Sequence, residues 1–280
     1  MSCTNPQARG LAGQALCLVR PCGQCISCRL NYSRSKAIRA VHELEFWDQS
    51  SFITLTYQDE YLIYEPGALL PTVSRRDLQL FFKNLRRRIE PKRISYMSSA
   101  EYGDRFDRPH YHAVLYGENF FEDREFYKFQ DGNRLYRSKL LSDAWGNKGD
   151  AVIGDVTFES ASYVASYTVK KLNGEHAFTS YDDQGRARPF GAMSTNPAIG
   201  KRWIEKNWRD VYPRDTVISR GREVRPPRYY DEFLKSQDEN LYKQVMAQRL
   251  LDAEIRLKKN VVADPTVKSM VTNSRISQKK

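Results

Sequence analysis

The stretch His110-Tyr-His-Ala-Val-Leu-Tyr116 decides how the rest of the chain is read. Its aromatic and branched residues suit a strand. Successive side chains on a strand point to opposite faces, so His110 and His112 share one face and Tyr111 turns to the other. Histidine is scarce: the chain has four, and two of them stand here one residue apart. Two neutral imidazoles on one face can converge on one cation. An isolated His-x-His is more often a pair of half-buried histidines satisfied by hydrogen bonds, so the motif takes its meaning from its surroundings.

Ile94 to Glu101 reads as the preceding strand, and Gly103-Asp-Arg-Phe-Asp-Arg-Pro109 has turn chemistry. The two strands make a hairpin with a long loop. Folding it back carries Glu101, at the end of its strand, toward the histidine pair. Two imidazoles and one carboxylate leave coordination positions open, as a catalytic cation requires. Mg2+ prefers oxygen ligands, so the imidazoles bring in Mn2+ as its competitor.

Upstream, Ser51-Phe-Ile-Thr-Leu-Thr-Tyr57 reads as another strand. Ser74-Arg-Arg-Asp77 is a capping-box variant opening a helix with the apolar stripe Leu78, Phe81, Phe82, Leu85 and Ile89. The other face carries Lys83, Arg86, Arg87 and Arg88, with Lys92 and Arg93 just beyond. Downstream, residues 117–150 are polar and aromatic, with a short helix expected near Ser138–Trp145. Val152 to Phe158 reads as a strand, and Ser160 as the cap of a helix running to about Leu172. The chain is then loop-rich to about residue 200. A hairpin is expected around Gly221, an extended start at Arg225-Pro-Pro-Arg-Tyr-Tyr230, charged helix over 231–259, and a loose tail after that. No internal repeat is visible.

That helix after Ser160 holds Tyr163-Val-Ala-Ser-Tyr167. Residues four apart share a helix face, and Lys170 and Lys171 continue it one turn later. A tyrosine hydroxyl can attack phosphorus when held in line, and a nearby lysine lowers its pKa or meets the phosphate. Taken alone, the same pattern also describes two core aromatics and a basic last turn.

The chain has 280 residues, 28% charged and 40% hydrophobic, with a formal charge of +11. No apolar run is long enough to cross a bilayer and the start lacks signal-peptide order, so no membrane partner and an intracellular location are expected. The cationic excess, concentrated at Arg86, Arg87, Arg88 and Lys171, attracts phosphate backbones. All five cysteines lie in the first tenth of the chain, which marks a local metal or redox device rather than a disulfide scaffold. Cys22, Cys25 and Cys28 have the spacing of metal ligands that open a helix. Cys3 is the expected fourth ligand to a structural Zn2+, with Cys17 its competitor; an iron–sulfur cluster is the weaker reading.

Seven stretches together resemble the HUH endonuclease superfamily of rolling-circle replication initiators. Within it, they are closest to the initiators of small single-stranded DNA phages of the microvirus, gokushovirus-like group. They are Pro21-Cys-Gly-Gln-Cys-Ile-Ser-Cys-Arg29, Phe52-Ile-Thr-Leu-Thr-Tyr57, Glu101-Tyr-Gly103, Arg108-Pro-His-Tyr-His112, Gly154-Asp-Val-Thr-Phe-Glu-Ser160, Tyr163-Val-Ala-Ser-Tyr167 and Arg225-Pro-Pro-Arg-Tyr-Tyr230.

The resemblance implies an α+β fold with a central antiparallel sheet flanked by helices. A Cys-rich segment and first helix (1–50) precede the nickase core (51–175), and a basic, helical C-terminal extension with a loose tail (176–280) follows. It implies His110, His112 and Glu101 as metal ligands, a nucleophile at Tyr163 or Tyr167, and a single-stranded origin as substrate. Attack gives a 5′-phosphotyrosine link and a free 3′-hydroxyl for the host polymerase, with a host helicase opening the duplex in the bacterial cytoplasm. One position departs from the pattern. Ser166 stands where such helices often carry Lys or Arg, while Tyr167 keeps Lys170 three residues on, so the two tyrosines rank equally. Two other readings compete: a zinc-bearing nucleic-acid-binding protein without catalysis, and a phosphodiesterase in which water attacks. Oligomeric state has no signature in the chain.

Overall fold

The computed structural model describes residues 3, 7–9, 18–103, 106–170 and 177–259, with backbone alone for 7–9, 18–20, 166–170, 254 and 256–259. A short ribbon of β1 (Gln7–Arg9) and β2 (Leu18–Arg20) lies in the segment expected to be irregular. Then come α1 (Ile26–Glu43), β3 (Ser50–Thr56), α2 (Arg75–Arg88), β4 (Ser95–Tyr102), β5 (Pro109–Tyr116), β6 (Arg124–Gln130), β7 (Asn133–Ser138) and α3 (Lys139–Trp145). They are followed by β8 (Ala151–Gly154), α4 (Phe158–Lys170), β9 (Phe190–Met193), α5 (Lys201–Val211), β10 (Val217–Ser219), β11 (Arg222–Val224), α6 (Arg228–Gln237) and α7 (Glu239–Lys259).

Seven strands form one sheet in the order β6-β7-β8-β3-β5-β4-β9, every neighbouring pair antiparallel. The fold is α+β, with helices flanking this sheet, a cysteine cluster near the N-terminus and a helical C-terminal region. The strand carrying the two histidines runs near its middle, between β3 and β4.

Alternation along β5 builds two cores. Tyr111, Ala113 and Leu115 join Ile53, Leu55 and Ile153 beneath α2 and α3, whose Leu78, Phe81, Leu85 and Trp145 fill that side. Val114 and Tyr116, one residue out of phase, pack with Met97 against Ala37 and Ala40 of α1 and Ala161, Val164 and Ala165 of α4. His110 and His112 are in phase with this second set. Each fully buried aliphatic or aromatic side chain stabilises such a layer by about 1.5–3 kcal/mol.

Local chemistry sets the helix ends. Ser74 caps α2 by accepting from Asp77 N at 3.0 Å. Ser138 caps α3 by accepting from Leu141 N at 3.0 Å, and Gly146 ends it in the left-handed region. At α4 the cap is Thr157 rather than Ser160. Thr157 N donates to Ser160 Oγ at 2.8 Å and Ser160 N to Thr157 Oγ1 at 3.1 Å, a reciprocal capping box with serine in the third position. The strand expected to reach Phe158 therefore stops at Gly154.

Other expectations shift in the same way. The weakly patterned 117–150 contains the β6–β7 hairpin, and the loop-rich stretch after 175 contributes β9 to the sheet. Helix α5 has no counterpart in the sequence reading. The expected hairpin at Gly221 is β10–β11. The charged helix of 231–259 is two helices, beginning at Arg228 and breaking at Asp238. The expected tail beyond residue 259 lies outside the described residues.

The chain divides into two compact units, Lys36–Trp203 with the whole seven-stranded sheet, and Met1–Ser35 together with Ile204–Lys280. Among the described residues no helix is long and apolar enough to cross a membrane.

Candidate active site

Strand pairing brings the site together. Glu101 lies directly opposite His110 in the β4–β5 register, and Ser99 opposite His112. On the other side Thr56 pairs with His110 and Thr54 with His112. Directly paired residues hold their Cβ atoms about 5 Å apart. Glu101 and His112 are buried, at 4% and 9% exposure, while His110 is half-buried.

Neighbouring groups orient each side chain. His110 Nδ1 lies 3.1 Å from Arg108 O, and since a carbonyl only accepts, that nitrogen carries the proton. The lone pair of His110 is then on Nε2, the ligand form. His112 Nδ1 lies 3.0 Å from Thr54 Oγ1, and Ser99 Oγ donates to Glu101 Oε1 at 3.1 Å. Thr54 and Ser99 were not singled out from sequence. The signal was present in Phe52-Ile-Thr-Leu-Thr-Tyr57, where Thr54 and Thr56 alternate with Ile53 and Leu55.

The ring of Tyr163 stands edge-on to His112, centroids 4.9 Å apart at 89°, and Phe52 lies against the same imidazole at 5.6 Å. Tyr163 is 38% exposed, so its ring is seated and partly open to solvent. Tyr167 and Lys170 lie on α4, but their side chains fall outside those described, and Lys171 lies outside the described residues altogether.

Glu101, His110 and His112 thus share one face without closing into a finished cluster. Among the described residues, the group whose ligand atoms already converge is Cys3, Cys22, Cys25 and Cys28, all four sulfurs within 4.8 Å of one another. Cys3 Sγ is 3.5 Å from Cys22 Sγ and 3.8 Å from Cys25 Sγ, far beyond the disulfide length of about 2.05 Å. Backbone N–H groups of Gln24 and Cys25 point at Cys22 Sγ, at 3.4 and 3.3 Å. Burial pushes the Cys28 thiol up to about 12, and a bound cation reverses that preference because the thiolate is the ligand form. This quartet can hold a metal such as zinc. Cys17 lies outside the described residues.

The arginines at the end of α2 are not part of either cluster. Arg86, Arg87 and Arg88 are exposed on a helix that packs on the sheet face opposite the histidines. Arg86 lies over the Tyr96 ring at 5.6 Å, and Arg88 donates to Asp143 O at 3.4 Å.

Known proteins bear on these clusters. Residues 50–172 match the family of replication-associated proteins of the ORF2 type. The chain is 34% identical over 252 residues to replication-associated protein VP4 of Bdellovibrio phage phiMH2K, covering 87% of this chain and 74% of that protein. It is 29% identical over 250 residues to replication-associated protein ORF2 of Spiroplasma virus 4, covering 82% and 76%. Replication-associated protein ORF4 of Chlamydia phage 1 is 24% identical over 222 residues, covering 77% and 53%. No solved structure matches significantly. A match across most of both chains, with the histidine strands and the tyrosine helix inside the matched region, assigns this chain to the family of phage replication-associated proteins.

Proposed function

We propose that the protein initiates rolling-circle replication of a small phage genome by nicking single-stranded origin DNA as an HUH-type endonuclease. The observation that carries this reading is the shared face: Glu101 opposite His110, His112 two residues on, and the Tyr163 ring against His112. Two imidazoles with both Nδ1 atoms engaged and one buried carboxylate fit a divalent ion, Mn2+ or Mg2+, with room for substrate oxygen. Such an ion, when bound, supplies charge neutralisation at a non-bridging phosphate oxygen.

The tyrosine oxygen, from Tyr163 or Tyr167, loses its proton and bonds to phosphorus. The P–O3′ bond breaks, and the leaving oxygen takes up a proton as a 3′-hydroxyl. The 5′ end stays linked to the tyrosine, so the ends can be rejoined without ATP. Lys170 stabilises the transferred phosphate. The 3′-hydroxyl primes the host polymerase, and a host helicase feeds the strand, which sets the reaction in the bacterial cytoplasm. A second tyrosine allows a second cleavage after one round of synthesis. Arg86, Arg87, Arg88 and Lys171 hold DNA backbone away from the reacting phosphate.

A labelled single-stranded origin oligonucleotide incubated with Mn2+ or Mg2+ tests this on a denaturing gel. A metal-dependent covalent adduct is expected. It should vanish in the double variant Tyr163→Phe/Tyr167→Phe and in His112→Ala. An adduct surviving the double tyrosine change overturns the nucleophile, and cleavage without adduct points to attack by water.

The cysteine quartet is assigned to structural Zn2+. A tetrahedron of Zn–S bonds of about 2.3 Å spaces its sulfurs about 3.8 Å apart. The distances of 3.5 and 3.8 Å lie close to that spacing. Metal analysis of the purified chain should find one zinc per chain, lost in Cys25→Ser. Zinc retained in that variant would remove the assignment.

A further inference from the structure

Both faces of the β6–β7 hairpin are open. Every residue of β6 after Arg124 is exposed, and β7 is exposed or half-buried up to Ser138. It nevertheless carries large rings: Phe126 is 55% exposed and Phe129 62%, beside a bulge at Tyr127. Apolar rings held in water on a projecting ribbon mark an interaction site.

Cations are threaded between the rings. Arg124, Lys128, Arg134 and Arg137 outnumber the hairpin's carboxylates, Glu125 and Asp131. The Arg137 guanidinium lies 3.7 Å from the Tyr127 ring centroid and that of Arg134 5.7 Å from Phe129. Tyr136 pairs with Ile153, whose side chain is in the α2 core, so Leu135 and Arg137 lie on the histidine face. Three strand spacings, about 15 Å, separate Arg137 from His112 along that face.

We propose that this hairpin is an arm that holds single-stranded DNA, its rings stacking on unpaired bases and its cations meeting the phosphates between them. Stacking needs a base with a free face, which duplex DNA does not offer, and it tolerates any sequence. A second copy pairing along the open β6 edge is disfavoured, because the bulge and the charges of Glu125 and Lys128 blunt that edge. The proposal rests on the single-stranded-DNA reading above and adds a contact surface to it.

The test uses the full chain without added Mg2+ or Mn2+, and fluorescence anisotropy on a labelled single-stranded oligonucleotide and a duplex of equal length. Phe126→Ala/Phe129→Ala should weaken single-strand binding about tenfold or more, leaving duplex binding and the melting temperature unchanged. Lys128→Ala/Arg134→Ala should lower the salt dependence by about 0.7 per lost cation. Single-strand affinity equal to the parent's overturns the arm, as does equal loss on duplex. A change in oligomer size in place of a change in DNA affinity would assign the hairpin to self-association instead. The two readings fail separately. Arm-dependent binding without any metal-dependent adduct defeats the nicking reading alone, and adduct formation with unchanged binding by the variants defeats the arm alone.

Discussion

Tyr111, the residue between the two histidines, shows how a single side chain fixes the strand. Its hydroxyl accepts from Ser74 N at 2.7 Å, donates to Ser74 O at 3.0 Å and touches Tyr57 Oη at 2.9 Å. Tyr57 donates to Asp77 Oδ2 at 2.8 Å, and Lys148 Nζ closes the chain on that same oxygen at 2.8 Å. The network ties β5 to the start of α2, and strand alternation then holds the imidazoles on the opposite side. Removing the hydroxyl in Tyr111→Phe strands Ser74 N–H and should cost about 1–3 kcal/mol in urea denaturation.

The same burial sets a pH limit. It pushes the Tyr111 phenol up to about 12 and that of Tyr57 higher still. An unfolded chain releases these protons near pH 10, while the folded one keeps them. The unfolded state therefore binds fewer protons above about pH 10, and stability falls as pH rises from there through the folded value. A titration following phenolate absorbance and circular dichroism together should show these two tyrosines ionising only as the protein unfolds. If all 17 tyrosines titrate near pH 10 with the fold intact, the network is wrong.

At the scale of elements, α4 shows why boundaries escape a sequence reading. Ser160 resembles a cap, yet its hydroxyl accepts from Thr157 N, so it completes a box opened three residues earlier. Changing both residues to alanine should cost about 1–2 kcal/mol and speed amide exchange in the first turn of α4. Unchanged exchange there would count against the cap. The β6–β7 hairpin escaped for a different reason. Both its faces are wet, so it lacks the apolar alternation that betrays a strand. Its turn was legible all the same: Asp131 and Gly132 have φ of 51° and 78°, the left-handed pair that Asp-Gly favours in a two-residue hairpin.

At the scale of the whole molecule, the unit formed from both chain ends is held by an ion cluster far apart in sequence. Arg249 on α7 donates to Asp231 Oδ2 at 2.8 Å and to Asp215 Oδ2 at 2.7 Å, and Tyr212 donates to Asp231 Oδ1 at 2.7 Å. Arg249 is 12% exposed, so its loss leaves two carboxylates facing each other with little water. Arg249→Met should destabilise this unit by about 3 kcal/mol, read as faster amide exchange in α6 and α7. Exchange that stays as slow as in the parent would show the cluster to be incidental.

The sequence by itself determined whatever depends on local period and composition. His110 and His112 share a face because a strand alternates. The α2 stripe packs because residues three and four apart coincide. The cysteines cluster because their spacing is short, and Cys3 could be put forward as the fourth of them. Only the tertiary structure decided which strands lie side by side. The register that sets Glu101 opposite His110, the Thr54 and Ser99 contacts, the seating of Tyr163 against His112, and the place of Arg86–Arg88 on the far side of the sheet all depend on it. Such pairings join residues tens of positions apart, and their energy comes from burying both sheet faces at once. No window of sequence contains that term.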